Sequence, residues 1–278
     1  MPAVNSENKK MLMVVVAVAV IIAGGYVALI AYTGMNVPFS VVMSQSMQHE
    51  NDRSQIGCID TGDIVVVKTK EKATVQSYVE GTQTGYSTFG DYGSVIIYER
   101  NSASNPVIHR AIVWLEWDSV GGKWSSEDLV GYEGTWFCRI STGSGTMETK
   151  DPNNLEGTLV FQDLTQSKKN VSVSLSSLSK KSGFLTMGDN SVTNNSFDQV
   201  SGIISHPIGM DDIRSIPVAE LPWLGAVKIL TGSNSANLKY VPNSLPSLTM
   251  VIVLLITAVI LIDFGIQWKY PESRKEKK

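Results

Sequence analysis

Val41-Val42-Met43-Ser44-Gln45-Ser46-Met47 is the stretch on which the reading of this chain turns. Its β-branched, apolar approach suits a pleated, half-buried surface and predicts a strand. That strand would end in two serines one residue apart, which sets two hydroxyls at a strand terminus. One hydroxyl can attack an electrophile while the other helps stabilise the charge that develops. A solvated turn is the commoner fate of such a pair, so its meaning depends on what surrounds it.

Upstream lies an uncharged apolar run over residues 11–32, and downstream a second run over 245–262 fades through Asp263 to Trp268. Each is close to the roughly 20 residues that a helix needs to cross a bilayer core. They explain why only 18% of the chain is charged, below the usual fraction of about one quarter. The first run exceeds the roughly 7–15 apolar residues of a cleaved leader, and no small-x-small site closes it, so a retained anchor is expected. The predicted plan is an N-terminal segment (1–10), a span (11–32), a β-rich domain (33–244), a second span (245–267) and a basic tail (268–278).

Lys9 and Lys10 precede the first span, and Lys269, Arg274, Lys275, Lys277 and Lys278 follow the second, while residues 33–52 hold no Lys or Arg. The positive-inside rule puts both termini in the cytoplasm and the domain outside the plasma membrane, with Trp268 and Tyr270 at the inner interface. The serine pair then lies within roughly 45 Å of the bilayer even on a fully extended link. Seven of the 23 Lys+Arg and four of the 26 Asp+Glu belong to the spans and their flanks, which leaves the domain a net charge of about −6. No basic patch appears, which disfavours a nucleic-acid partner.

About 210 residues can bury one good core. A Gly62-Asp63 turn opens an apolar strand over 64–67, and further strands are expected over 93–98, 107–114 and 183–187. The pair at 94–100 and 107–114 reads as a hairpin with a wide loop. Residues 70–92 read as surface loop, and 217–230 as a last strand with a turn at Pro222-Trp223-Leu224-Gly225. Short β pieces at 135–140, 157–161 and 171–175 make 115–182 a smaller lobe or an elaboration of the sheet. Helical periodicity is scarce between the spans, so the fold class is mainly β with one transmembrane helix at each end.

Cys58 and Cys138 share a compartment that permits a disulfide, and their separation in space decides whether one forms. Asn170 and Asn194 head glycosylation sequons. No metal-ligand spacing and no cofactor motif is present.

A serine nucleophile needs a base within reach and a third group to orient that base. His109, inside Val107-Ile108-His109-Arg110-Ala111-Ile112, is held rigidly as a base should be, although a satisfied structural histidine is commoner on such a strand. His49 sits in a polar segment and is expected to be solvated; His206, before Pro207, reads as a loop residue. Asp189 and Asp198 share a polar loop, where carboxylates most often cap backbone N–H groups.

Taken in order, Ser44-x-Ser46-Met47, Gly62-Asp63, Ile108-His109-Arg110 and Gly188-Asp189-Asn190 with Asp198 beyond resemble the boxes of type I signal peptidases. Histidine in place of the bacterial lysine is similar to the archaeal and endoplasmic-reticulum branch, and Pro222-Trp223-Leu224-Gly225 is similar to a late box. The resemblance covers most of 41–114 and 183–230. It implies a signal-peptidase-like β fold, with Ser46 as nucleophile, His109 as general base and Asp198 as the acid that orients it. Asp189 matches the first acid of the same box, and Ser44 with the Ser46 N–H would hold the oxyanion. The implied substrates are the signal peptides of preproteins leaving the translocon, cut after small residues at −3 and −1, with no cofactor.

The chain departs from the family's pattern in places. Gln48-His49-Glu50 stands where the family has a proline, Gln45 replaces a glycine, the Asp189–Asp198 spacing is long, and 115–182 has no counterpart. Those departures motivate the alternative of a non-catalytic membrane-anchored relative, a surface or translocon-associated binding protein.

Overall fold

The computed structural model of the chain describes residues 6–100 and 105–269. In chain order the elements are α1 (Ser6–Thr33), β1 (Phe39–Val41), β2 (Ile64–Lys68), α2 (Tyr78–Thr84), β3 (Ser87–Thr88), β4 (Asp91–Tyr92), β5 (Val95–Tyr98), β6 (Val107–Asp118) and β7 (Lys123–Ser125). There follow β8 (Thr135–Thr142), β9 (Gly145–Thr149), β10 (Thr158–Leu164), β11 (Lys169–Ser174), β12 (Gly183–Met187), α3 (Asp198–Ser201), β13 (Ile213–Leu221), α4 (Ala226–Thr231) and α5 (Ser244–Lys269).

Two segments, Leu12–Thr33 and Ser244–Gly265, are long and apolar enough to cross a membrane, and neither is buried against the rest of the protein. A helix satisfies its own backbone hydrogen bonds, which is what a segment facing hydrocarbon requires. Residues 101–104, Tyr270 and the basic residues from Arg274 onward lie outside the described residues.

Between these helices the chain is mainly β. The principal sheet has the order β1-β2-β13-β5-β6-β12, with β7 paired to the far end of β6, and its ladders are antiparallel. On β2, Val65 and Val67 alternate inward. By contrast β5 and residues 109–113 of β6 are buried on both faces. Their apolar runs are unbroken because both sides of the sheet are covered.

A second sheet, ordered β11-β10-β8-β9, occupies most of 115–182. Leu159 and Phe161 from β10 pack with Ile112 and Val113 of β6, Leu185 of β12 and Val79 of α2 in one cluster, so the lobe shares its core with the principal sheet. Another cluster, including Val42, Met47, Ile59, Val65 and Val95, lies beneath the serine loop.

Several expectations are corrected. The segment read as surface loop over 70–92 holds α2, whose Tyr78 and Val79 are buried. Ser77 caps that helix by accepting from the Glu80 N–H at 3.0 Å, and Gly85 closes it in the left-handed region. The last strand stops at Leu221, the expected turn follows over 222–225, and the end of the stretch read as strand over 217–230 is helix α4. The break falls where Trp223 adopts φ 64°, a region that ordinary residues rarely enter. The Trp223 N–H donates to Asp63 Oδ1 at 2.8 Å, which ties this turn to the Gly62-Asp63 turn. Gly62 itself has φ +91°, open to glycine without strain. Cys58 and Cys138 are both buried free thiols, so no disulfide joins them. Asn170 is exposed, whereas Asn194, which heads the second sequon, is buried and lines a cavity shared with Ser46.

Candidate active site

Strand geometry assembles the site. His109 on β6 pairs across the ladder with Ile96 on β5. Tyr98 lies two residues beyond Ile96 and therefore points to the same face as His109. Asp198, the first residue of α3, is brought to that face and is fully buried. His109 Nδ1 meets Asp198 Oδ1 at 2.9 Å and Oδ2 at 2.8 Å, and the Tyr98 hydroxyl donates to Asp198 Oδ2 at 2.6 Å.

A carboxylate accepts, so the Nδ1 of His109 is the donor in this contact, and in a neutral imidazole that leaves the lone pair on Nε2. Burial, reinforced by the Asp198 charge, pushes the Tyr98 phenol above its ordinary range, so it stays protonated and donating.

Ser44, Ser46 and His109 all line one cavity of about 820 Å³. Its walls also include Phe39 to Val42 on the approach to the serines, with Ile97, Val107, Thr193, Asn194 and Ile203. Among the described residues Ser46 Oγ has one hydrogen-bond partner, Ser44 Oγ at 3.4 Å. The serine and the imidazole thus share a space without being bonded to each other.

Arg110 follows His109 and so points to the opposite face. Its Nε and Nη2 grip Asp189 Oδ1 and Oδ2 at 2.9 and 2.6 Å, and the guanidinium is fully buried. Asp189 therefore does not orient His109; Asp198 alone of the two acids does. Burial by itself would push Asp189 up, but the Arg110 charge and the hydrogen bonds from His49 and Arg110 outweigh it and hold the carboxyl well below its usual range.

His49 is a further correction. Its side chain is only 9% exposed, with Nε2 3.3 Å from Asp189 Oδ2 and Nδ1 3.2 Å from Cys58 Sγ. Burial lowers its pKa; the hydrogen bonds and charges of Asp189 and Cys58 prevail and push it up to about 10, so it is an imidazolium at neutral pH. His206 is half-buried near Asp212, away from the serines.

The segment after Ser46 is fixed by side chains in place of a proline. Buried Gln48 accepts from the Thr61 hydroxyl at 2.6 Å and donates to Glu50 O at 3.0 Å and Tyr240 O at 3.2 Å. The Asn190 N–H donates to Ser46 O at 3.0 Å. A Cβ on Gly188 would fall 2.4 Å from Ser46 O, so only glycine permits this approach.

Comparison of the chain with family models, with curated proteins and with solved structures returned no match. Tyr98 and His49 are the participants that sequence reasoning missed. Tyr98 sits in an apolar run that signals only burial. His49 carries no local pattern that points to an acid 140 residues away.

Proposed function

We propose that the chain is a membrane-bound serine endopeptidase of the signal-peptidase kind, with Ser46 as nucleophile and His109 as general base. The observation that carries this reading is the buried Tyr98–Asp198–His109 array, whose imidazole lines the same cavity as Ser46. Such an array fixes the tautomer of a base and stabilises the imidazolium formed when the base takes a proton. A general base of this kind contributes about 10²–10⁴-fold to rate. The resemblance implies that Ser44, two residues before Ser46, stabilises the oxyanion together with the Ser46 N–H, and the Ser44 hydroxyl within 3.4 Å of Ser46 Oγ supports that role.

The substrate reading follows from the walls. Of the described strands, β1 is paired only with β2 and is an edge of the principal sheet. Its residues Phe39 to Val41 border the cavity. An extended peptide can lie along an edge strand, drawing affinity from main-chain hydrogen bonds and selectivity from side-chain pockets. The edge follows α1 by a short link, so the peptide would be met close to the lipid. That position suits a signal peptide leaving a translocon, with the domain outside the cell membrane and both termini in the cytoplasm.

The Ser44–Ser46 contact favours one competing reading, a non-catalytic binding module, because it leaves the nucleophile turned to another hydroxyl. Processing of a preprotein with a small-x-small cleavage site by the detergent-solubilised full chain separates the two. Loss of at least about 10³-fold in kcat for both Ser46→Ala and His109→Ala is expected. Cleavage that survives either substitution contradicts the peptidase reading.

A further inference from the structure

Lys169 begins β11 of the second sheet and is 7% exposed. Its ammonium donates to three consecutive carbonyl oxygens: Gly188 at 2.9 Å, Asp189 at 3.1 Å and Asn190 at 3.0 Å. An ammonium has three N–H bonds and no acceptor capacity, and here each bond finds one oxygen. Lys169 in this state is not a base; it is the centre around which the turn curls.

The neighbouring Ser167 hydroxyl donates to Asp189 O at 3.3 Å. Phe161 of β10 meets Phe197, the residue before Asp198, edge to face at 6.2 Å. The second lobe therefore touches both ends of the segment that carries the two acids. The same turn grips the nucleophile's backbone, because the Asn190 N–H donates to Ser46 O.

We propose that Lys169 is a positioning residue for Ser46: its ammonium fixes the 188–190 turn, and the turn fixes the nucleophile. This gives the lobe over 115–182 a role in the site, as the strut that carries the clamp. The proposal rests on the reading of Ser46 as nucleophile.

The clamp depends on charge. Burial, the largest influence, pulls Lys169 down to about 8, against the opposing charges of Asp189, of Asp91 on β4 and of Asp198 on α3. Arg110 on β6 and His49 face the same Asp189. A neutral amine keeps two N–H bonds, so above that pH one carbonyl loses its donor.

The test uses the full chain in detergent micelles, with preprotein kinetics and hydrogen exchange of the Asn190 amide as two readouts. Lys169→Met is expected to lower kcat about 100-fold, as a misplaced nucleophile does, with KM nearly unchanged. The Asn190 amide should exchange at least about tenfold faster in that variant at pH 7. Lys169→Arg keeps a permanent charge and should restore part of kcat while removing the wild-type loss above pH about 8.

Unchanged kcat and exchange in Lys169→Met overturn the proposal. So does a kcat loss no larger than the loss of folded protein, or an arginine variant no better than methionine. Should Lys169→Met fail to fold, the arginine variant decides: a persisting alkaline loss of kcat counts against the clamp. The exchange readout needs no peptidase activity, so failure of the clamp and failure of the peptidase reading are told apart.

Discussion

Asp198 accepts from His109 and Tyr98 on one face of β6, while Asp189 is locked between Arg110 and His49 on the other. The two carboxylates, nine residues apart in sequence, should therefore fail in different ways. Asp198→Asn keeps the shape but offers the imidazole an amide, and should lower kcat by about 10³–10⁴-fold with little change in Tm. Asp189→Asn leaves the Arg110 guanidinium buried without its counter-charge, and should cost about 3–5 kcal/mol of stability. Kinetics and thermal unfolding of both variants check the pair; equal kinetic damage with equal stability would remove the distinction. Tyr98→Phe deletes one charge-assisted hydrogen bond, worth about 1.5–3 kcal/mol, and should slow the reaction about 10–100-fold. The order of these residues in the sequence was legible through the resemblance. The pairing of Asp198 with His109 was among the implications of the resemblance, whereas the partners of Asp189 were not legible, because they depend on which face of β6 that loop reaches.

At the scale of elements, the loop between β1 and β2 carries Ser46 and is moored by acids at its base. Asp60 accepts from the Gln55 N–H at 2.5 Å and Asp63 from the Asp60 N–H at 2.8 Å, while Glu220 on β13 accepts from the Gly57 N–H at 2.5 Å. Among the described residues, Asp60 Oδ1 and Glu220 Oε2 have no partner. Burial pushes Asp60 up to about 6, Asp63 to about 8 and Glu220 to about 6. The folded state thus holds these protons more tightly than the unfolded chain. Their contribution to stability is complete below the ordinary carboxylate range and is lost as pH rises through about 6 to 8. Glu220→Gln should therefore raise Tm at pH 7.5 and leave it nearly unchanged at pH 4.5; an equal shift at both pH values contradicts this. Strands β2, β5, β6 and β12 were legible because alternation or an unbroken apolar run marks a covered sheet. Helix α2 was hidden among Thr, Gly and Tyr, and β9 is exposed along most of its length, so its polar residues give no periodic signal.

Across the whole molecule, a mainly β domain sits between two helices that are long and apolar enough to span a membrane. Both helices were plain in the sequence, since apolar runs of that length have few other uses. The second sheet was legible only as scattered β pieces. Its packing onto the principal sheet and its reach to the 188–190 turn come from contacts that no local pattern encodes. The peptidase reading requires that the His109 imidazole act on Ser46 across the cavity they share. It is tested most directly by treating the full chain in detergent micelles with a serine-acylating inhibitor and measuring the mass of the peptide that contains Ser46. A single adduct on Ser46 is expected, absent in Ser46→Ala and formed at least about 100-fold more slowly in His109→Ala. An unmodified Ser46 peptide in the wild-type chain, or an adduct that forms just as fast without the imidazole, would contradict it.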